Sequence, residues 1–356
     1  MKNTGVPLYH PISLNRDYLA GKMLEKFGVV HPKPWRDFSM ERRVQVREAF
    51  LSAIQSLEES LAAGSPAFLL DHAGWAQARF AALRFPPDFA VSFFRIFKTV
   101  LLVELPQDHR KAAGTFAGKA VSAMRSTAGG KGTSPDTRSD LSPAARSLLK
   151  ALLAGDRDRG MAVIDKALAA DTPVREIYTG IFRPVLRETG RLWQQDKATI
   201  AQEHYVSSEI RRMMDQLHDR IAAAGGTIRR QKKVVASCAG EELHDIGIRM
   251  VADFFEMDGW DVYCTGANIP AKSIISAVKD QQPMVLTLSI TMPSRLPDLH
   301  YLIRSLRADK DTAQVKIIVG GFPFSILPDL WKKVGADAVA FEAEDTVATA
   351  NRLTEG

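Results

Sequence analysis

Between Lys233 and the C-terminus, short apolar runs alternate with longer stretches whose apolar residues recur at helical spacing. The runs are Lys233 to Cys238, Trp260 to Cys264, Met284 to Ser289, Val315 to Val319 and Ala338 to Phe341. Amphipathic stretches lie between them near residues 245–258, 271–281, 296–308 and 325–334, and one closes the chain near 344–353. Strands joined by helical crossovers run parallel and are covered by helices on both faces. Residues 227–356 are therefore predicted to form a five-stranded, doubly wound parallel sheet. Such a sheet binds ligands at the carboxyl ends of its strands.

The remainder reads as helix. In residues 1–125, Ser39 can cap a long helix carrying Val44, Val46, Phe50, Ile54 and Leu57, which Gly64 ends. A second helix runs from about Pro66 to Leu83. Pro86-Pro87 opens a third, carrying Phe89, Phe93, Phe94, Phe97 and Leu101, and Pro106 precedes a fourth. The third helix is rich in rings that either pack a core or wall a pocket for a planar chromophore. Residues 126–140, rich in Gly, Ser, Thr and Asp, are expected to be a flexible linker. In residues 141–226, Ser142-Pro143 and Thr172-Pro173 look like helix starts, Gly155 is a stop and Asp156 a cap. Pro184 should kink the third helix, and Thr199 with Gln202 forms a capping box for the fourth. Four helices with short loops predict an antiparallel bundle.

The 356 residues carry a net charge of +6, but Lys and Arg are dispersed. The densest cluster, Arg229-Arg230-Gln231-Lys232-Lys233, is expected to solvate a linker after Gly225-Gly226 rather than grip phosphate, so no direct nucleic-acid partner is expected. Two cysteines, Cys238 and Cys264, fit a reducing compartment and are expected to be buried at strand ends. No signal peptide and no membrane span is read, so a cytoplasmic location is expected. The sequence holds no G-x-S-x-G, H-E-x-x-H, C-x-x-C or P-loop, and no enzymatic activity is predicted.

Chemistry concentrates in two imidazole-bearing motifs. Glu242-Leu243-His244-Asp245-Ile246-Gly247 follows the first strand, and Trp193 is followed after nine residues by Glu203-His204. A carboxylate two residues before a histidine can accept the ring's other N–H, fixing its tautomer and raising the basicity of a metal-ligating nitrogen. A glycine three residues after the histidine lets backbone approach a bulky ligand.

Glu242-x-His244-x-x-Gly247 resembles the E/D-x-H-x-x-G signature of cobalamin-binding domains. Ser289-Ile290-Thr291 and Val319-Gly320-Gly321 stand where that family has its S-x-T/L and GG elements. Trp193-x9-Glu203-His204 is similar to the pattern that separates light-sensing adenosylcobalamin domains from the methyl-carrying kind. The resemblance covers roughly residues 141–356 and implies a Rossmann- or flavodoxin-like cobalamin fold beneath a four-helix cap. It implies that His244 is the lower axial ligand of cobalt, displacing the cofactor's own nucleotide base, with Glu242 holding the ring and Asp245 and Gly247 beside it. Ser289 and Thr291 would hydrogen-bond the nucleotide tail, and Gly320 and Gly321 would leave backbone N–H groups and room for ribose or phosphate. Trp193, Glu203 and His204 would roof the upper face.

In the best-known light-sensing relatives, a histidine directly after the tryptophan can capture cobalt after photolysis. Gln194 stands there in this chain, leaving His204 or water as the upper ligand. The function implied is a light sensor in which loss of the adenosyl group changes conformation, oligomerisation or contacts with a protein signalling partner. A subset of relatives carries a helical N-terminal sensor domain that also holds a bilin, so residues 1–125 are a candidate for biliverdin; neither cysteine falls there to attach it. Two alternatives stay open: a corrinoid shuttle carrying methyl groups between methyltransferases, and a regulatory scaffold for haem or biliverdin.

Overall fold

The structure is a computed structural model that describes residues 12, 15–127, 141–224 and 229–355. It divides into two compact units, residues 1–137 and 138–356. Most of the predicted linker, residues 128–140, lies outside the described residues, as do Gly225 and Gly226 at the second predicted boundary.

The first unit is helical: α1 (Arg16–Val30), α2 (Pro32–Asp37), α3 (Met40–Ala63), α4 (Ala67–Ala82), α5 (Phe89–Glu104) and α6 (Gln107–Thr127). Ser39 caps α3 by accepting from Arg42 N at 3.2 Å, and Gly64 ends it in the left-handed conformation. Helices α1 and α2 were not anticipated, although Leu19, Ala20, Met23 and Phe27 give α1 a buried stripe. The rings of α5 form the interior. Phe93 stacks on Phe50 at 4.1 Å between centroids, Phe89 meets Phe80 edge-on at 4.8 Å, and Phe94 and Phe97 are fully buried. These rings pack on one another.

The second unit opens with α7 (Pro143–Leu153), α8 (Arg157–Ala169) and α9 (Val174–Ile177). A π-helical turn, Tyr178–Phe182, leads into α10 (Arg183–Gln194), and α11 (Ile200–Ala224) completes the bundle. Ser142 and Asp156 cap α7 and α8 as expected. Thr199 and Gln202 exchange bonds of 2.9 and 3.2 Å as a capping box. Thr172 makes no cap; Pro173 stands at that position instead. The effect of Pro184 is taken up by the π turn before it. Proline cannot donate to the Gly180 carbonyl four residues back. The Ser142 hydroxyl donates to that carbonyl instead, at 3.3 Å.

Five parallel strands follow: β1 (Arg229–Cys238), β2 (Trp260–Gly266), β3 (Val285–Ser289), β4 (Lys316–Gly320) and β5 (Ala338–Val339), in the order β2-β1-β3-β4-β5. The order reverses at β1, which makes the crevice beside its carboxyl end the natural ligand position. The crossovers are α12 (Ile246–Met257), α13 (Ala271–Gln281), α14 (Leu296–Ala308) and the pair α15 (Phe322–Ile326) and α16 (Leu330–Val334); α17 (Ala343–Thr354) ends the chain. Pro328 divides the helix expected over 325–334. The basic cluster is part of β1 rather than a linker: Arg229 pairs with Trp260, and Lys232 Nζ donates to Asn351 Oδ1 at 2.8 Å. Cys238 is buried as expected, whereas Cys264 is exposed.

Bundle and sheet share one core. Ile177, Tyr178, Phe182, Ile210 and Met213 from the helices pack in the same cluster as Phe254, Phe255, Trp260, Val285 and Ile318. Helix α12 lies between them and is buried at Ile248, Met250, Ala252, Phe254, Phe255 and Met257, around much of its circumference.

The two glycines after β4 are required by backbone contacts. A Cβ on Gly321 would sit 1.9 Å from the Ile290 carbonyl oxygen, and the residue has φ +107°. A Cβ on Gly320 would lie 2.9 Å from the Ala340 oxygen. Gly321→Ala is therefore expected to cost about 3 kcal/mol or more, through strained φ/ψ and a backbone clash. Urea unfolding should show a lower midpoint with an unchanged slope.

Candidate functional site

His244 stands in the loop between β1 and α12, its side chain 58% exposed. Its Nδ1 lies 2.5 Å from Glu242 Oε1, which also accepts the His244 backbone N–H at 3.0 Å. With Nδ1 held by the carboxylate, Nε2 is the ring nitrogen left to accept a metal. Glu242 itself is 1% exposed. Its Oε2 accepts the backbone N–H groups of Thr291 and Met292 at 2.7 and 2.9 Å, and its carbonyl accepts Asn268 N at 2.9 Å. One buried residue thus ties together the loops after β1, β2 and β3. Burial opposes the charge of Glu242, but the bonds from His244, Met292 and Thr291 outweigh it and hold the carboxyl at about 2. The bond to Glu242 holds the His244 imidazole above its usual range against burial, with smaller contributions from the charges of Glu203 and Asp245.

Asp245 anchors the helical bundle to the sheet. It is buried and accepts Arg211 of α11 at 2.6 Å and Arg249 of α12 at 2.8 Å. Its carboxylate is directed to these two guanidinium groups, a fastening role that the sequence reading did not anticipate. The Arg211–Asp245 pair fastens α11 to the imidazole loop. Glu203 and His204 share that helix with Arg211, the residue that meets the loop. Trp193, at the end of α10, is exposed. Glu203 accepts the Ser207 hydroxyl at 2.8 Å. His204 is 74% exposed, its Nδ1 3.7 Å from Glu203 Oε2.

Large apolar side chains are exposed in the loops after four adjacent strands: Leu243 after β1, Met292 after β3, Phe322 after β4 and Phe341 after β5. Such a set along one sheet edge suits a broad, flat apolar ligand. Beside it, a cavity of about 220 Å³ opens between the sheet and the π turn. Gly247, Ser289, Gly320 and Gly321 all line it, so four of the predicted residues meet at one place. A Cβ on Gly247 would meet nothing within 4 Å. Thr291 contributes its backbone N–H to Glu242. Sequence reasoning missed Arg183 and Glu342, an ion pair from α10 and the residue before α17 at this cavity. It also missed Thr287, a buried lining residue whose hydroxyl has no partner among the described residues. The period-two step back from Ser289 could have revealed it.

Among the described residues, no three His, Cys, Asp or Glu side chains gather to hold a bare metal ion. A single presented imidazole suits a metal whose remaining positions a macrocycle fills.

Residues 232–351 match the B12 binding domain, and residues 144–218 match a second B12 binding domain model. Dimethylamine corrinoid protein 1 of Methanosarcina acetivorans is 24% identical over 58% of this chain and 96% of its own length. The HTH-type transcriptional repressor CarH of Myxococcus xanthus is 31% identical over 50% of this chain and 58% of its own. The fold matches that of the Methanosarcina barkeri monomethylamine corrinoid protein at a TM-score of 0.52 and 19% identity, covering 58% of this chain and 96% of that one. The chain is a cobalamin-binding protein, and its second unit carries the cobalamin-binding domains. The residues present fit that group: an oriented imidazole, an apolar sheet edge and a cavity holding an unpartnered hydroxyl.

The folded protein holds the Glu242 carboxyl at about 2, against an ordinary 4.5, so it binds this proton less readily than the unfolded chain does. The resulting stability is complete above pH 4.5 and is lost as the pH falls toward 2, amounting to about 3 kcal/mol. Glu242→Gln should flatten this part of the acid-stability curve. Denaturant titrations at several pH values, compared with the wild type, measure the difference.

Proposed function

We propose that this chain is a cobalamin-dependent light-sensing regulator that uses adenosylcobalamin. The observation that carries this reading is the Arg211–Asp245 pair, which fastens α11, the helix of Glu203 and His204, to the loop of His244. The 31% identity to a transcriptional repressor supports a regulatory role. When bound, adenosylcobalamin supplies a cobalt–carbon bond that light can break.

The protein's residues provide the rest. His244 would hold the metal through Nε2, and Glu242, bonded to Nδ1, keeps the ring from turning away. Trp193, exposed at the end of α10, would fill space beside the cofactor. A change in what Trp193 packs against would shift α10 and α11 relative to the sheet. Arg211–Asp245 is the contact such a shift must strain, which turns a local rearrangement into a change of surface. Gln194 offers no imidazole; His204 is the one this segment would offer to the metal. The output is a change in self-association or in contact with a protein partner.

A corrinoid methyl carrier is the second reading, favoured by a dimethylamine corrinoid protein that aligns over 96% of its length. It makes the upper face a docking site for methyltransferases, and Trp193 stands against that.

Protein loaded with adenosylcobalamin in the dark should change its absorbance spectrum under green light and change its mass on a sizing column. A spectrum and mass that both ignore light would remove the sensor reading and favour the carrier. His244→Ala should abolish the spectrum of cobalt ligated by protein imidazole; an unchanged spectrum would show that His244 is not the ligand. Because metal must displace the proton of a raised imidazole, that spectrum should also fade in acid.

A further inference from the structure

Alternation along β3 places Val285, Thr287 and Ser289 on one face of the sheet. Ser289 ends the strand, and Thr287 lies one pleat, about 7 Å, further in. Both line the 220 Å³ cavity. An apolar cavity of about 150 Å³ accommodates benzene, a single ring, so this one has room for two fused rings. Ile248, Val251, Phe254 and Ile318 make its surroundings largely apolar. Polar groups also line it, among them Ser289 and the Arg183–Glu342 pair; of these Thr287 is 2% exposed, and its Oγ1 makes no hydrogen bond among the described residues. Most buried hydroxyls are satisfied, and one that is not either carries a cost or waits for a ligand.

We propose that Thr287 selects the base of the cofactor's nucleotide tail, favouring a purine over dimethylbenzimidazole. This rests on the cobalamin reading of the site. Dimethylbenzimidazole presents two methyl groups on its outer edge, and these cannot satisfy a buried hydroxyl. A purine presents ring nitrogens there and, in adenine, an amine, so it can accept from or donate to Oγ1. A site that holds a buried polar group discriminates against an analogue lacking the matching group, because that group is then left unpaired. One neutral hydrogen bond gives a preference of about tenfold.

The test titrates the full-length protein with three corrinoids: cobalamin, the cobamide carrying adenine, and tail-less cobinamide. Binding is followed by the visible spectrum. The adenine cobamide should bind about tenfold more tightly than cobalamin, and cobinamide most weakly. Thr287→Val, which keeps the shape and removes the hydroxyl, should erase the preference while leaving the imidazole-ligated spectrum intact. Thr287→Ser should retain the preference. Ligand-free Thr287→Val should melt at or above the wild-type temperature, since it removes an unsatisfied group.

Equal binding of the two cobamides by wild type would overturn the proposal, as would a preference that survives Thr287→Val. Cobinamide binding as tightly as either would show that the tail does not enter the cavity. A lower melting temperature for ligand-free Thr287→Val would show that the hydroxyl already has a structural role, and would also overturn it. Absence of any spectral change with all three corrinoids is a separate result, which overturns the cobalamin reading and this proposal together.

Discussion

The buried carboxylate of Glu242 holds the binding edge together. Three loops emerge from β1, β2 and β3 with no regular structure to fix their heights, and each places a backbone N–H or a side chain on this one residue. A carboxylate without these donors would be costly to bury and would recruit water or a proton. With them it stays ionised, and its charge fixes the orientation of His244. The same bonds that make the loop stable therefore make the imidazole a prepared ligand. Structure and chemistry are joined here because the acceptor has two oxygens: Oε1 serves the histidine and Oε2 serves the β3 loop.

A second carboxylate, Asp245, divides its oxygens in the same manner, but between modules. Arg211 arrives from the bundle and Arg249 from the helix beneath it. Acidic residues three positions apart thus serve two purposes: one aims the ring, and the other fastens the bundle to the ring's loop. This proximity makes a cap movement difficult without disturbing the ligand loop, and a change at the ligand loop difficult without loading the cap. The π turn adds a second connection, because the Tyr178 hydroxyl donates to Asp253 of α12 at 2.7 Å while the ring lines the cavity.

Much of this is legible in the sequence. Parallel strands announce themselves because burial on both faces removes their polar residues, and α13 and α14 fell on the stretches their apolar spacing marked. Caps were equally readable at Ser39, Ser142, Asp156 and Thr199, where a side-chain oxygen meets a free N–H three residues on. The His244 loop was visible because its partner is two residues away. The features that escaped depend on distance in the chain. Nothing local to Arg211 indicates a carboxylate 34 residues later. The π turn is stabilised by a hydroxyl, that of Ser142, belonging to another helix. Helix α2 was obscured by its own prolines, and the basic run 229–233 looked solvated because side-chain charge masks a strand whose backbone pairs.

The glycine pair shows how one motif can answer two demands. Read from sequence, Gly320-Gly321 offers bare backbone to a ligand. In the fold, each glycine is first a contact between strand ends: Gly321 against the Ile290 carbonyl and Gly320 against the Ala340 carbonyl. These contacts draw the ends of β3, β4 and β5 together at the wall of the cavity that Ser289 and Thr287 share. Larger residues would push β4 away from its neighbours and open that wall. The shape that a nucleotide tail would meet is thus set by the absence of two Cβ atoms. Ligand room and sheet closure have the same cause, and selection on either would keep both glycines.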